Sequence, residues 1–134
     1  MTSSTFKSKE ITELIVNWLK TYAETAQVKG FVVGISGGID SALTSTLCAM
    51  TGLPTLCVEM PIHQAASQVS RAQEHISYLK SRFNNVSSAV ADLTPTFDLM
   101  VESFPKGEDE ARLNLTLANT RARLRMTTLY YFAG

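Results

Sequence analysis

Residues 31 to 48 read FVVGISGGIDSALTSTLC, and this stretch narrows the possible folds more than any other. Phe31 to Ile35 is a short aromatic and β-branched run bounded by glycine, the pattern of a buried strand. Gly37 and Gly38 break it, and from about Asp40 to Met50 small and apolar residues resume at helical spacing. Thr51-Gly52 then stops the helix and Leu53-Pro54 turns the chain. Thr55-Leu56-Cys57-Val58-Glu59-Met60 reads as a second strand, halted by Pro61. A β-α-β unit with these connections places its strands parallel.

The flanking segments extend the pattern. Ile11, Leu14, Ile15, Trp18, Leu19 and Tyr22 recur at helical spacing and predict an amphipathic helix over 10–22 that docks one face on a core. Downstream, Gln68 to Phe83 repeats the helical period and Val86 to Leu93 reads as a third strand. Thr94-Pro95 breaks that strand. Phe97, Met100, Val101 and Phe104 make a short helix whose apolar stripe is most simply core, and a long helix fills Glu110 to Phe132. The fold class expected is α/β, a doubly wound parallel sheet with flanking helices. With 134 residues, 45% of them hydrophobic, residues 1–134 suit one domain with a real core.

Charge and composition exclude several functions. Twelve basic against twelve acidic residues give no overall positive field, so the RARLR run at 121–125 does not by itself mark a nucleic-acid binder. No apolar run approaches the ~20 residues of a spanning helix, and MTSSTFKSKE lacks a secretory apolar region, so no membrane partner and a cytoplasmic location are expected. Without a secretory signal, the acceptor patterns at Asn85 and Asn114 carry no weight. Cys48 and Cys57 lack metal-ligand spacing and read as buried free thiols. His63 and His75 flank no acidic or cysteine cluster, so neither is expected to hold a metal.

The chemistry therefore rests on the loop. A strand that turns through small residues into a helix aims backbone N–H groups and the positive end of the helix dipole at whatever lies above, which favours a phosphate. Gly37 and Gly38 allow close approach, Ser36 and Ser41 add hydroxyls, and Asp40 supplies a hard oxygen suited to Mg²⁺. The loop is not a Walker A motif, because no lysine follows the glycines. Nor does it match GxGxxG, since the glycines stand at 34, 37 and 38, and Glu59 is only the nearest candidate for a ribose-binding acid.

Ser36-Gly37-Gly38-Ile39-Asp40-Ser41 instead resembles the SGGxDS loop of the ATP pyrophosphatases, which cut ATP between the α and β phosphates and grip the leaving pyrophosphate. Far downstream, Ala118-Asn119-Thr120-Arg121-Ala122-Arg123-Leu124-Arg125-Met126-Thr127-Thr128-Leu129-Tyr130 resembles the NAD synthetase segment GNxxARxRMxxLY, with Ala118 in place of the common glycine. Together the two motifs point to the ammonia-dependent NAD synthetases, over essentially the whole chain.

The resemblance implies ATP-dependent amidation of deamido-NAD (nicotinic acid adenine dinucleotide) by ammonia, through an NAD-adenylate, with release of AMP and pyrophosphate. It implies ATP on Gly34, Ile35, Ser36, Gly37, Gly38, Ile39, Asp40 and Ser41, with Mg²⁺ on Asp40, and a homodimer; adenine is expected near the backbone of Val58 to Met60, because ligands of such sheets bind outside the carboxyl ends of the strands. It also assigns Arg123 to deamido-NAD. At about 100° per residue, Asn119, Arg123 and Tyr130 point within roughly 40° of one direction, which adds Asn119 and Tyr130 as further candidates. Arg121 and Arg125 share the opposite side and are expected on a solvated face or paired with acids.

About thirty residues precede the first strand, which leaves no room for a glutamine-hydrolysing domain, so free or delivered ammonia is expected. The family also continues past the long helix into a strand bearing further ATP and Mg²⁺ contacts, so the domain reads as incomplete and low turnover is expected of residues 1–134 alone. A GMP synthetase-type ATP pyrophosphatase and a nucleotide-binding module without turnover are the competing readings.

Overall fold

A computed structural model describes residues 2–134, with side chains described from Lys7 onward. Three strands, β1 (Phe31–Ile35), β2 (Thr55–Glu59) and β3 (Val86–Val90), pair in parallel in the order β1-β2-β3. Their register is flush. Ile35 stands opposite Glu59, and Glu59 opposite Val90, so all three strands end at one level. Segments 36–38, 60–65 and 91–93 therefore rise from a single edge of the sheet, where ligands of open α/β sheets bind.

Five helices accompany the sheet: α1 (Thr2–Ala26), α2 (Ile39–Met50), α3 (Ala66–Arg82), α4 (Thr94–Ser103) and α5 (Glu110–Ala133). They cover both of its faces. Cys48 and Ala49 of α2 and Ala72, Ile76 and Leu79 of α3 pack on Val33, Ile35 and Cys57. Against the other face, Leu93, Phe97 of α4 and Leu117, Leu124, Leu129 and Phe132 of α5 gather around Val58 and Met60. The expected α/β class, with a parallel sheet and flanking helices, is thus present. Within the described residues the strand order advances in one direction only.

Glycine and proline set the ends of the strands. A Cβ on Gly30 would lie 2.0 Å from the Pro54 carbonyl oxygen, the same oxygen that accepts the Phe31 N–H at 2.9 Å. Strand β3 ends at Val90, earlier than the expected Leu93. Leu93 N–H turns to the Pro61 oxygen, and Asp92 accepts from Thr94 N–H to open α4. Cys48 and Cys57 are buried free thiols as expected, and burial pushes Cys57 up to about 11.

Two packing expectations fail. Helix α1 does not dock its apolar stripe: Ile11, Leu14, Ile15, Trp18 and Tyr22 are exposed, whereas Leu19 packs on the core and Ala23 is buried. The helix runs well beyond 10–22, over Thr2–Ala26, and packs on α2. In α4, Phe97 is buried and Val101 packs on the core, but Phe104 follows the last turn with extended backbone and stands exposed. No helix among the described residues is long and apolar enough to cross a membrane.

Candidate functional site

The loop between β1 and α2 braces itself. Ser41 Oγ accepts from Ser36 N–H at 3.2 Å and donates to the Gly38 carbonyl at 3.2 Å. Ser36 Oγ lies 3.2 Å from Ser41 Oγ and accepts from Gly38 N–H at 3.3 Å. The two serines, expected as donors to a ligand, are thus engaged in holding the turn. Gly38 is the N-cap, and no side chain caps α2. The N–H groups of its first turn lack intrahelical partners and form an anion cradle at the positive end of the helix. Asp40 stands exposed in that turn.

Gly37 fixes the loop against α3. Its φ is +87°, and a Cβ there would meet the Gln68 carbonyl oxygen at 2.4 Å. Depressions open on either side of this contact. One, of about 450 Å³, lies between Gly37, Gly38, Ile39 and Ser41 of the loop side and Arg71, Glu74 and His75 of α3. His75 Nε2 is 2.8 Å from Ser45 Oγ, whose hydroxyl faces the Ser41 and Ala42 carbonyls at 2.7 and 3.1 Å. With that hydrogen donated to the helix, Ser45 accepts from His75 and is no activated nucleophile. Burial pushes the His75 pKa down.

The second depression, about 430 Å³, lies over the carboxyl ends of β1 and β2. Gly34, Ile35 and Ser36 form one side and Glu59 and Met60 the floor, with Val69 and Ala72 of α3 facing Arg125, Met126 and Leu129 of α5. Arg125 Nε donates to the Met60 carbonyl at 3.0 Å and Nη2 to Gln64 Oε1 at 3.1 Å. Gln64 Nε2 in turn reaches the Ser36 carbonyl at 3.4 Å and Gln68 Oε1 at 3.0 Å. One chain of contacts therefore ties α5 to the phosphate-type loop. Burial, with Arg121 adding repulsion, pushes the Arg125 pKa down.

This corrects the expectation for the arginine pair. Arg125 is half-buried at the sheet edge, and Arg121 places its guanidinium 5.6 Å from the centre of the Phe97 ring. Neither is a purely solvated charge nor, among the described residues, paired with an acid. The outward face carries the other candidates. Asn119 and Arg123 line a separate groove of about 360 Å³ with Met100 and Phe104. Tyr130 is 72% exposed and outside that groove. Sharing a direction is not sharing a depth, because eleven residues of helix rise about 16 Å.

Beyond β2, His63 adopts φ +47° and its Nε2 lies 2.6 Å from Asp98 Oδ1, with both side chains more than half exposed. His63 is thus a loop histidine with a partner on α4, thirty-five residues downstream, that its own sequence neighbours do not reveal. Among the described residues no group of three or more His, Cys, Asp or Glu is placed to hold a metal ion.

Comparison with known proteins adds a family to this geometry. The family model described as NAD synthase matches residues 11–134. An NH(3)-dependent NAD(+) synthetase of Finegoldia magna is 35% identical over 125 residues, 92% of this chain and 48% of that protein. The enzyme of the same description from Carboxydothermus hydrogenoformans is 35% identical over 128 residues, covering 94% and 50%. Among solved structures, an NMN synthetase from Francisella tularensis superposes with a TM-score of 0.80 at 32% identity, covering 93% of this chain and 49% of that one. The chain thus spans about half the length of the relatives it matches.

Proposed function

This chain belongs to the NAD synthase family, and from that premise we propose that it serves the ATP-dependent amidation of deamido-NAD to NAD⁺ by ammonia. The observation that carries the reading is the self-braced SGGIDS loop at the N-terminus of α2, with no lysine to serve cleavage at the γ phosphate. In this reading residues 1–134 are an ATP pyrophosphatase domain. The substrate carboxylate attacks the α phosphorus of ATP to give an NAD-adenylate, pyrophosphate leaves, and ammonia displaces AMP from the activated carbonyl. The protein's task is to neutralise the departing anion and align the reacting centres.

Each part of the site has a role in this scheme. The open amides of Ile39, Asp40 and Ser41 face the polyphosphate, and the bonds between Ser36 and Ser41 keep them in place before it arrives. Asp40 suits Mg²⁺: it is exposed, has no described ion-pair partner, and one carboxylate completed by phosphate oxygens is a common way to hold that ion. Bound there, Mg²⁺ supplies charge neutralisation on the phosphates. Adenine enters the cavity over Met60, whose carbonyl is already engaged by Arg125. Arg123 and Asn119 take deamido-NAD in the groove beside Phe104, with Tyr130 joining where the ligand extends along α5. We further propose a cytoplasmic homodimer, supported by the exposed apolar stripe of α1.

The test is the product set. With Mg-ATP, deamido-NAD and ammonium, AMP and pyrophosphate are expected in equal amounts, slowly, given the low turnover expected of residues 1–134 alone. ADP with inorganic phosphate would overturn the reading, and ATP binding without AMP under any substrate would favour a module without turnover. Stimulation by xanthosine monophosphate would move the assignment to a GMP synthetase-type enzyme. The likeness to an NMN synthetase supports a second reading, in which the acid amidated is the mononucleotide. Offering nicotinic acid mononucleotide beside deamido-NAD separates the two.

A further inference from the structure

Glu59 ends β2 directly opposite Ile35, the last residue before the loop. The residue is only 8% exposed, and no hydrogen bond or ion pair engages its carboxylate among the described residues. Yet no described side-chain oxygen or nitrogen is sealed from solvent without a partner. Glu59 lines the cavity of about 430 Å³ over the strand ends, and its unpartnered carboxylate oxygens keep some contact with solvent. Arg125 lines the same cavity but is committed to the Met60 carbonyl and Gln64.

An ionised carboxylate only accepts hydrogen bonds, and one held in a partly desolvated site without a donor is costly. Its natural ligand is a neutral group that carries donors. A second carboxylate or a phosphate is repelled. The cavity walls of Met60, Val69, Ala72 and Leu129 suit a flat apolar base, and its volume lies within the roughly 300–1,000 Å³ of small-molecule sites. An acid at the end of the strand next to a phosphate-binding turn is placed as in dinucleotide sites, where it accepts from ribose.

We propose that Glu59 accepts hydrogen bonds from the ribose hydroxyls of the nucleotide held on the loop, making the site selective for ribonucleotides. The inference rests on the nucleotide reading above and goes beyond it by naming the group that recognises the sugar. The acid also keeps phosphate out of the base cavity, so that the polyphosphate takes the loop side.

Calorimetric titration of the chain with ATP, 2′-deoxy-ATP, 3′-deoxy-ATP and purine riboside triphosphate, each with Mg²⁺, tests it. At least one deoxynucleotide is expected to bind about 10-fold or more weakly than ATP, while loss of the exocyclic amine costs less. Glu59→Met, which removes the acceptor, should bring the ATP to deoxy-ATP ratio close to one. Should that variant misfold by circular dichroism, Glu59→Gln, whose amide oxygen still accepts but carries no charge, should reduce the ratio, and the wild-type ratios stand by themselves. Equal binding of all four nucleotides, discrimination that follows the amine, or a folded variant with the full ratio would overturn the inference and leave the nucleotide reading intact. If none of the four binds, the nucleotide reading falls and this inference with it.

Discussion

At position 37 two constraints coincide: the backbone is left-handed at φ +87°, and the space a Cβ needs holds the Gln68 carbonyl oxygen at 2.4 Å. Gly38 has φ −90°, and its nearest obstacle to a Cβ is Ser36 Oγ at 3.4 Å. Gly37→Ala should therefore lower stability by about 1–3 kcal/mol and weaken nucleotide binding by displacing the loop from α3. Gly38→Ala should cost less than about 1 kcal/mol. Urea denaturation of the two variants, read beside an ATP titration, checks the contrast; equal effects would contradict it. The sequence shows a glycine pair and hence a turn. It does not show which glycine needs the left-handed region, because that depends on the approach of α3 some thirty residues later. The same limit hides the bonds between Ser36 and Ser41.

Along α5 the inward stripe runs through Leu113, Leu117, Arg121, Leu124, Arg125, Thr128 and Phe132, all at least partly shielded. The leucines alone carry this phase in the sequence, and reading them would have put Arg121 and Arg125 on the sheet side. The charges at 121 and 125 mask that phase, because arginine by composition belongs to a solvated face. Strand starts were legible to the residue because Gly30, Pro54 and the polar break before Val86 punctuate apolar runs. Which helix face is covered was not legible, since amphipathic spacing defines a stripe without saying what lies against it. Arg125→Ala leaves the Met60 carbonyl and Gln64 without their shared donor, at a cost of about 1–3 kcal/mol. Arg125→Lys should recover only part of that, because an ammonium lacks the planar fork that spans both acceptors. Thermal melts of both variants check the order, and the Gln64 link to the Ser36 carbonyl predicts weaker ATP binding in the alanine variant as well.

The largest mismatch between composition and packing belongs to the molecule as a whole. In α1, Leu14 is 69% and Trp18 62% exposed, and Trp18 stacks on Tyr22 at 5.4 Å between ring centres. Together with Ile11 and Ile15 they form a stripe along one side of a helix that packs on α2 and turns Leu19 and Ala23 to the core. Scattered exposed apolar residues are ordinary, but a continuous stripe of this kind marks an interaction surface. A helical stripe meets a second copy of itself about a two-fold axis with both copies buried alike. The chain is therefore expected to self-associate, with a weight-average mass above that of the monomer in sedimentation velocity at micromolar concentration. Leu14→Lys with Trp18→Glu should return it to the monomer, because each charge would have to be desolvated in the interface. Neither Leu14 nor Trp18 lines a cavity bordered by the Ser36 to Ser41 loop, so ATP binding should stay within about twofold of the parent. A parent chain that sediments as a monomer throughout would refute the association. A double variant that stays associated would move the interface to another exposed apolar surface, of which the Tyr130 and Tyr131 end of α5, 72% and 80% exposed, is the strongest. Association through α1 also bears on function: it leaves the groove of Asn119 and Arg123 open, whereas association through α5 brings a second copy toward it.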